Sequence, residues 1–259
     1  MVVVAAPTLE GDPAMAAESS AIAIGPDGRW THAAPLLPGA YTLRYRTRNA
    51  NGNHSPWTVW RFHTNGLPSH RLALAKGYNG NLGAAETALN LWAPETPHGG
   101  QRLFKLRSFS VMKGLLQFDL APLANAPAQE VQRARLVLWT DGRSDPQEMQ
   151  ATAYPLSQPR QAEQATWLHA AASAPWTLPG AAAAPDDYRD QHPATAALTP
   201  GAWTGLDVTE TVRGWLSGDL TQHGLVLVGQ SRGSVEYVLA SSDHTQPGYR
   251  PTLVVEWTQ

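Results

Sequence analysis

The chain has 259 residues, 42% of them hydrophobic and 15% charged, and it contains no cysteine. A formal net charge of −2 argues against a general nucleic-acid binder, which needs a cationic surplus to neutralise phosphates. The missing thiols exclude a disulfide framework, a thiolate zinc site and a cysteine nucleophile, and no run of about 18 apolar residues is present to span a membrane as a helix.

Residues 1–6 are apolar but lack the basic flank and the length of a signal sequence, so any export signal is expected outside this sequence, the alternative being a protein that stays inside the cell. From there the chain reads as strands. In residues 40–49 (AYTLRYRTRN), Tyr41, Leu43 and Tyr45 alternate with Thr42, Arg44 and Arg46, the period of two of a half-buried strand. Residues 57–64 (WTVWRFHT) repeat the pattern more weakly. Between them, residues 49–56 carry Asn51-Gly52, a hairpin signal. Asn65-Gly66-Leu67-Pro68 then punctuates the chain and divides it into units 1–66 and 67–259.

The second unit holds ten short strand candidates, at 71–75, 86–92, 104–109, 114–120, 133–140, 150–156, 203–208, 224–228, 235–241 and 252–258. Many short strands separated by turn residues predict an all-β chain, a jelly-roll-type β-sandwich. One helix is expected at 207–218, from an Asp or Thr cap to a terminal Gly, with Val212, Trp215 and Leu216 on one face. Residues 161–200, rich in Ala, Pro and Thr, read as a long ordered loop anchored by Trp167 and Trp176.

Several pieces carry a family resemblance: AKGYNGNLGAAETAL (75–89), KGLLQFDL (113–120), VQRARLVLW (131–139), ATW (165–167), PWTLPGA (175–181), PDDY (185–188), WTGLDVTETVRGW (203–215), YVLASSD (237–243) and YRPTLVVEW (249–257). In that order and spacing they resemble the DNRLRE (disaggregatase-related) domain family, a type of carbohydrate-binding module. Glu86 departs from the family pattern, which more often has Asp before Thr. DGRWT (27–31), LPGAYTL (37–43) and NGNHSPW (51–57) resemble part of a bacterial Ig-like or fibronectin type III-like repeat, so a small, incomplete Ig-like sandwich is expected before the module. The resemblance implies a two-sheet β-sandwich without catalysis, borne by a secreted or cell-surface protein. Polysaccharide would be its partner, including acidic polysaccharides such as alginate for some members. The alternative is a structural or adhesive module whose partners are other domains or subunits of an extracellular assembly.

Alternation assigns faces to the strands. Phe104 and Leu106, then Leu116, Phe118 and Leu120, then Ala134, Leu136 and Leu138 point inward. Lys105, Arg107, Lys113, Gln117, Arg135 and Trp139 point outward. On adjacent strands these six form a cationic patch with an amide and an aromatic ring. Arginine forks pair with carboxylates, the amide both donates and accepts, and the ring stacks on a pyranose. The competing reading is an ordinary solvated sheet face. Tyr78, in the turn-rich loop GYNGNLG (77–83), is a further ligand contact candidate. The other tryptophans, Trp167, Trp203, Trp215 and Trp257, read as core or anchors. Asp186, Asp187 and Asp190 share one loop and are candidates for a structural calcium, the alternative being a solvated acidic loop. Finally, GQSRG (229–233) matches a nucleophile elbow, but a strand rather than a helix is expected after Ser231, so the segment reads as a hairpin turn.

Overall fold

The computed structural model describes residues 69–77 and 84–258 and, before them, the backbone of four strands. The chain divides into two compact units, Met1–Ser69 and His70–Thr258. In the first, β1 (Val4–Ala5) pairs antiparallel with β2 (Ile22–Ala23), and β3 (Gly39–Tyr45) with β4 (Thr58–Thr64). The turn expected between the last two lies outside the described residues.

The second unit begins with β5 (Ser69–Leu74), β6 (Ala84–Asn90), β7 (Leu103–Arg107) and β8 (Met112–Phe118). The long β9 (Val131–Arg143) and β10 (Gln150–Pro155) follow. An excursion then carries the short pair β11 (His169–Ala171) and β12 (Ala174–Pro175) and returns through β13 (Ala194–Ala197). After β14 (Ala202–Asp207) come helix α1 (Thr209–Ser217), β15 (Leu225–Gln230), β16 (Glu236–Ala240) and β17 (Thr252–Thr258). All ten strands expected from the patterning of this unit form. β11, β12 and β13 were not expected, because their Ala-rich segments lack a period of two.

Eleven of these strands make one antiparallel sheet that curls on itself. Its first layer is built on β9, which has β14 along one edge and β16 and β17 sharing the other. β7 extends this layer beyond β16, and β5 beyond β17. The second layer runs β13–β10–β15–β8–β6. The β7–β8 hairpin, paired at Arg107 and Met112, turns the corner between layers. The interior is packed from both sides by Leu106, Leu136, Leu138, Leu227, Tyr237 and Leu253, among others, all fully buried. Each such side chain contributes about 1.5–3 kcal/mol by leaving water.

Helix α1 lies over one end of this core. Val212 and Trp215 are buried and Leu216 packs against them, the face its spacing predicts. Its start is capped from one residue upstream of the N-cap position. Asp207 Oδ1 accepts the Thr209 amide at 3.0 Å and the Thr209 hydroxyl at 2.6 Å.

A second hydrophobic cluster lies on the far side of the second layer. Leu89, Leu115 and Val226 project outward from β6, β8 and β15, and the excursion covers them with Leu156, Trp167, Ala170 and Trp176. Trp176 Nε1 donates to Thr166 O at 3.0 Å, so its buried donor is satisfied. β8 is therefore buried on both faces, unlike a sandwich strand with one wet side.

Candidate functional site

The six outward-facing candidates do not meet on one surface. They sit in three environments, because β7 and β9 belong to the first layer while β8 belongs to the second. This corrects the expectation of a single cationic patch. Lys105 and Arg107 lie on β7, on the outer face of the first layer, and both are held by Glu236 of β16. Lys105 Nζ is 2.8 Å from Glu236 Oε1, and Arg107 Nη1 is 3.5 Å from Oε2. Arg107 also donates to Ser234 Oγ at 3.1 Å, and its guanidinium lies 4.7 Å from the centre of the Trp92 ring. Gln117, on β8, is half-buried and donates to Gln222 Oε1 at 3.2 Å. Lys113, also on β8, is only 5% exposed and points into the space under the excursion. Tyr78 lies outside the described residues.

Arg135 and Trp139 do share a face, and the fold brings three more rings to it. On the outer side of the first layer, Trp139 of β9 stands directly across from Trp203 of β14, their ring centres 5.3 Å apart and edge to face. Tyr249, from the loop before β17, stacks on Trp139 at 4.4 Å with 7° between planes. Trp203 is 6.0 Å from Tyr249, and His244 lies 5.5 Å from it on another side. Trp203 is 44% exposed, whereas Trp139, Tyr249 and His244 are half-buried. The reading of Trp203 as core is therefore overturned. Thr204 and Leu206 point inward, so the odd positions of β14 face out, and the period of two already carried that signal. Tyr249 and His244 lie in a loop and had no such signal.

Two residues below Trp203 on the same face, Gly205 opens a path for Arg135. A Cβ at Gly205 would fall 2.7 Å from Arg135 Nη2. The guanidinium thus lies across β14 between Trp203 and Asp207, the residue paired with Arg135 in the ladder. The Thr209 hydroxyl holds the Asp207 carboxyl below its usual range against burial, helped by the Thr209 amide, Arg133 and Arg135. The face thus combines an aromatic ledge with one positioned cation and one ionised carboxylate.

On the second layer, the outer face forms a cleft of about 340 Å³ beside the excursion. Lys113 and Val228 line it from the sheet, Trp167 and Tyr188 from the excursion, and Leu91 and Phe109 from the rim. Lys113 Nζ donates to Gly180 O at 2.7 Å and lies 5.6 Å from the centre of the Trp167 ring. Gly180, at φ 82°, takes a left-handed turn against that indole, where a Cβ would come within 2.6 Å of the ring. Burial lowers the Lys113 ammonium to about 8, with the Asp187 charge acting in the opposite sense.

The three aspartates are not gathered around one point. Asp187 is fully buried and accepts from Gln158 Nε2 at 2.6 Å and from the amides of Thr177, Leu178 and Ala183 at 2.8, 3.1 and 2.9 Å. Burial favours the protonated carboxyl, but these donors outweigh it and hold the carboxyl below its ordinary value. Both of its oxygens are thus occupied in pegging the excursion. Asp186 and Asp190 are exposed. Among the described residues, no three His, Asp or Glu side chains are grouped to hold a metal ion. Ser231 follows β15 without a helix after it, and no histidine or carboxylate bonds its hydroxyl among the described residues. The segment is not a hairpin either, since β15 pairs with β8 and β10 while β16 pairs with β7 and β9. It crosses between layers.

No family model and no curated protein matches the chain. Among solved structures, 85% of the chain aligns with 73% of a carbohydrate-binding module of the β-sandwich superfamily, at 9% identity and a TM-score of 0.20. Similarly, 87% aligns with 71% of the VP2 subviral particle protein of infectious bursal disease virus, at 11% identity and a TM-score of 0.11. Similarity at these scores fixes neither the topology nor the ligand of this chain.

Proposed function

We propose that the second unit is a non-catalytic glycan-binding module that lays a polysaccharide across the outer face of its first layer, as part of a secreted or cell-surface protein. The observation carrying this reading is the ledge of Trp203, Trp139 and Tyr249 on a sheet face, with Arg135 and Asp207 beside it. Aromatic rings standing on a rigid sheet bind with little loss of side-chain freedom. Sugar rings offer C–H faces to Trp203 and hydroxyls to Asp207, and Arg135 adds a fork for a carboxylate or hydroxyl pair. The resemblance to DNRLRE domains supports the same class of ligand and admits acidic chains. With Lys105 and Arg107 sharing the single Glu236 carboxylate, only a small positive excess remains there, and acidic recognition on this face centres on Arg135.

Affinity electrophoresis in gels cast with neutral polysaccharides, alginate or pectate tests the reading. Trp203→Ala is expected to lose retardation corresponding to about a tenfold or greater loss of affinity, with an unchanged far-ultraviolet spectrum. Arg135→Ala is expected to weaken binding to the acidic gels more than to neutral ones. A wild-type protein that no gel retards, or a Trp203→Ala variant retarded like wild type, would reject it.

A further inference from the structure

We infer that the cleft around Lys113, on the opposite layer from the aromatic ledge, is a second ligand site that takes a single ring bearing a carboxylate. This site stands on its own geometry and does not depend on the reading of the first face.

The Lys113 ammonium lacks a contacting counter-charge, because Asp187, whose charge acts on it, spends both carboxylate oxygens on Gln158 and on backbone amides. An ammonium offers three donors. Lys113 gives one to Gly180 O, and the described residues provide neither a second acceptor nor an ion-pair partner within reach. At 5% exposure the group is also largely cut off from water. A buried cation in that state is costly, and the cost is relieved by an arriving anion with hydrogen-bond acceptors. The depressed ammonium, at about 8, is the signature of that desolvation.

The walls specify the rest of the ligand. The Trp167 ring lies 5.6 Å from the ammonium, and Tyr154 and Tyr188 sit 5.0 Å apart on the same cleft. These surfaces accept the flat side of a ring, while two phenol hydroxyls and the Gln230 amide at the edge supply polar contacts. A volume of about 340 Å³ lies at the small end of ligand sites, so the cleft suits one ring rather than a chain crossing it.

The rim shows independent investment in this place. Phe109 and Ser110 form the tip of the β7–β8 hairpin with φ of 60° and 57°. The two left-handed residues are the mark of a type I′ turn, a conformation that Phe adopts rarely. Yet Phe109 is 67% exposed, so packing does not explain its presence. Strain held by an exposed aromatic residue at a cleft mouth fits a ligand contact. Leu91, 45% exposed, stands beside it on the same rim.

Carboxylate-bearing rings come from two sources, a sugar acid or an aromatic acid, and the test separates them. The full chain is titrated with D-galacturonate, with benzoate and with neutral methyl galactoside while the tryptophan indole N–H signals are followed by NMR. The Trp167 indole signal is expected to move with one or both acids and not with the neutral sugar, whether or not Trp203 responds. Lys113→Met is expected to abolish the shift, and Phe109→Gly, which relieves the turn, to weaken binding about fivefold to tenfold without lowering the melting temperature. If Lys113→Met does not fold, Phe109→Gly alone decides. Movement with galacturonate alone assigns a sugar acid, and with benzoate alone an aromatic acid. No movement of Trp167 with either acid, equal movement with the neutral sugar, or full binding by a folded Lys113→Met overturns the inference, whatever the gels show for the aromatic ledge.

Discussion

Lys113 and Asp187 are both buried charged groups under the excursion, and the fold holds both below their ordinary values, so each makes stability rise with pH, in separate windows. The Lys113 amine loses its proton near pH 8 in the fold but near its ordinary value of 10.5 in the unfolded chain. Between those values unfolding takes up a proton, so stability rises with pH across that window. Chemical denaturation is expected to show this rise from pH 8 to 10 in the wild type and to lack it in Lys113→Met. Above its ordinary value of 10, Tyr154 acts oppositely, because burial first, then Tyr188 and Asp190, hold its proton on in the fold. The Asp187 carboxyl is held low, so its contribution is present above its ordinary value of 3.8 and disappears as pH falls through the lower folded value. Replacing it by Asn puts an amide N–H₂ against N–H donors it now accepts. Asp187→Asn is expected to cost about 1–3 kcal/mol, read from urea midpoints at neutral pH. Trp139 differs again. Its indole Nε1 is buried without a partner in the described structure, so Trp139→Phe loses no hydrogen bond and should change stability little.

At the scale of elements, β9 and β8 show how the same patterning ends in different surroundings. β9 keeps a dry side of Ala134, Leu136 and Leu138 and a wet side with Arg135 exposed, as its alternation requires. β8 has Leu116 and Phe118 in the sandwich core and Leu115 in the cluster beneath the excursion. Leu136→Ala and Leu115→Ala are each expected to cost about 2–5 kcal/mol. Only the second is expected to loosen the excursion, seen as new proteolytic cleavage between 160 and 190 while the sandwich remains intact. An unaltered cleavage pattern in Leu115→Ala would mean that the excursion holds itself.

At the scale of the whole molecule, charge is spread rather than concentrated. Lys105, Arg107 and Arg135 each have an acid nearby, in Glu236 or Asp207. Polysaccharide binding on the aromatic face is therefore expected to survive molar salt with less than about a threefold loss, where a broad cationic patch would lose most of its affinity. Isothermal titration across salt concentrations distinguishes the two. Ten of the thirteen strands of the second unit, the helix ending at Gly218 and the inward sides of β7, β8 and β9 were legible in the chain, because alternation and turn residues act locally. That local information tells which way a side chain points from its strand, but not what lies in that direction. Whether the far side of a strand meets water or another layer depends on where residues distant in the chain are packed. The 156–190 excursion folds over β8 and makes Lys113 the floor of a cleft, while no comparable segment among the described residues covers the far side of β14, so Trp203 is 44% exposed beside Tyr249 from another loop.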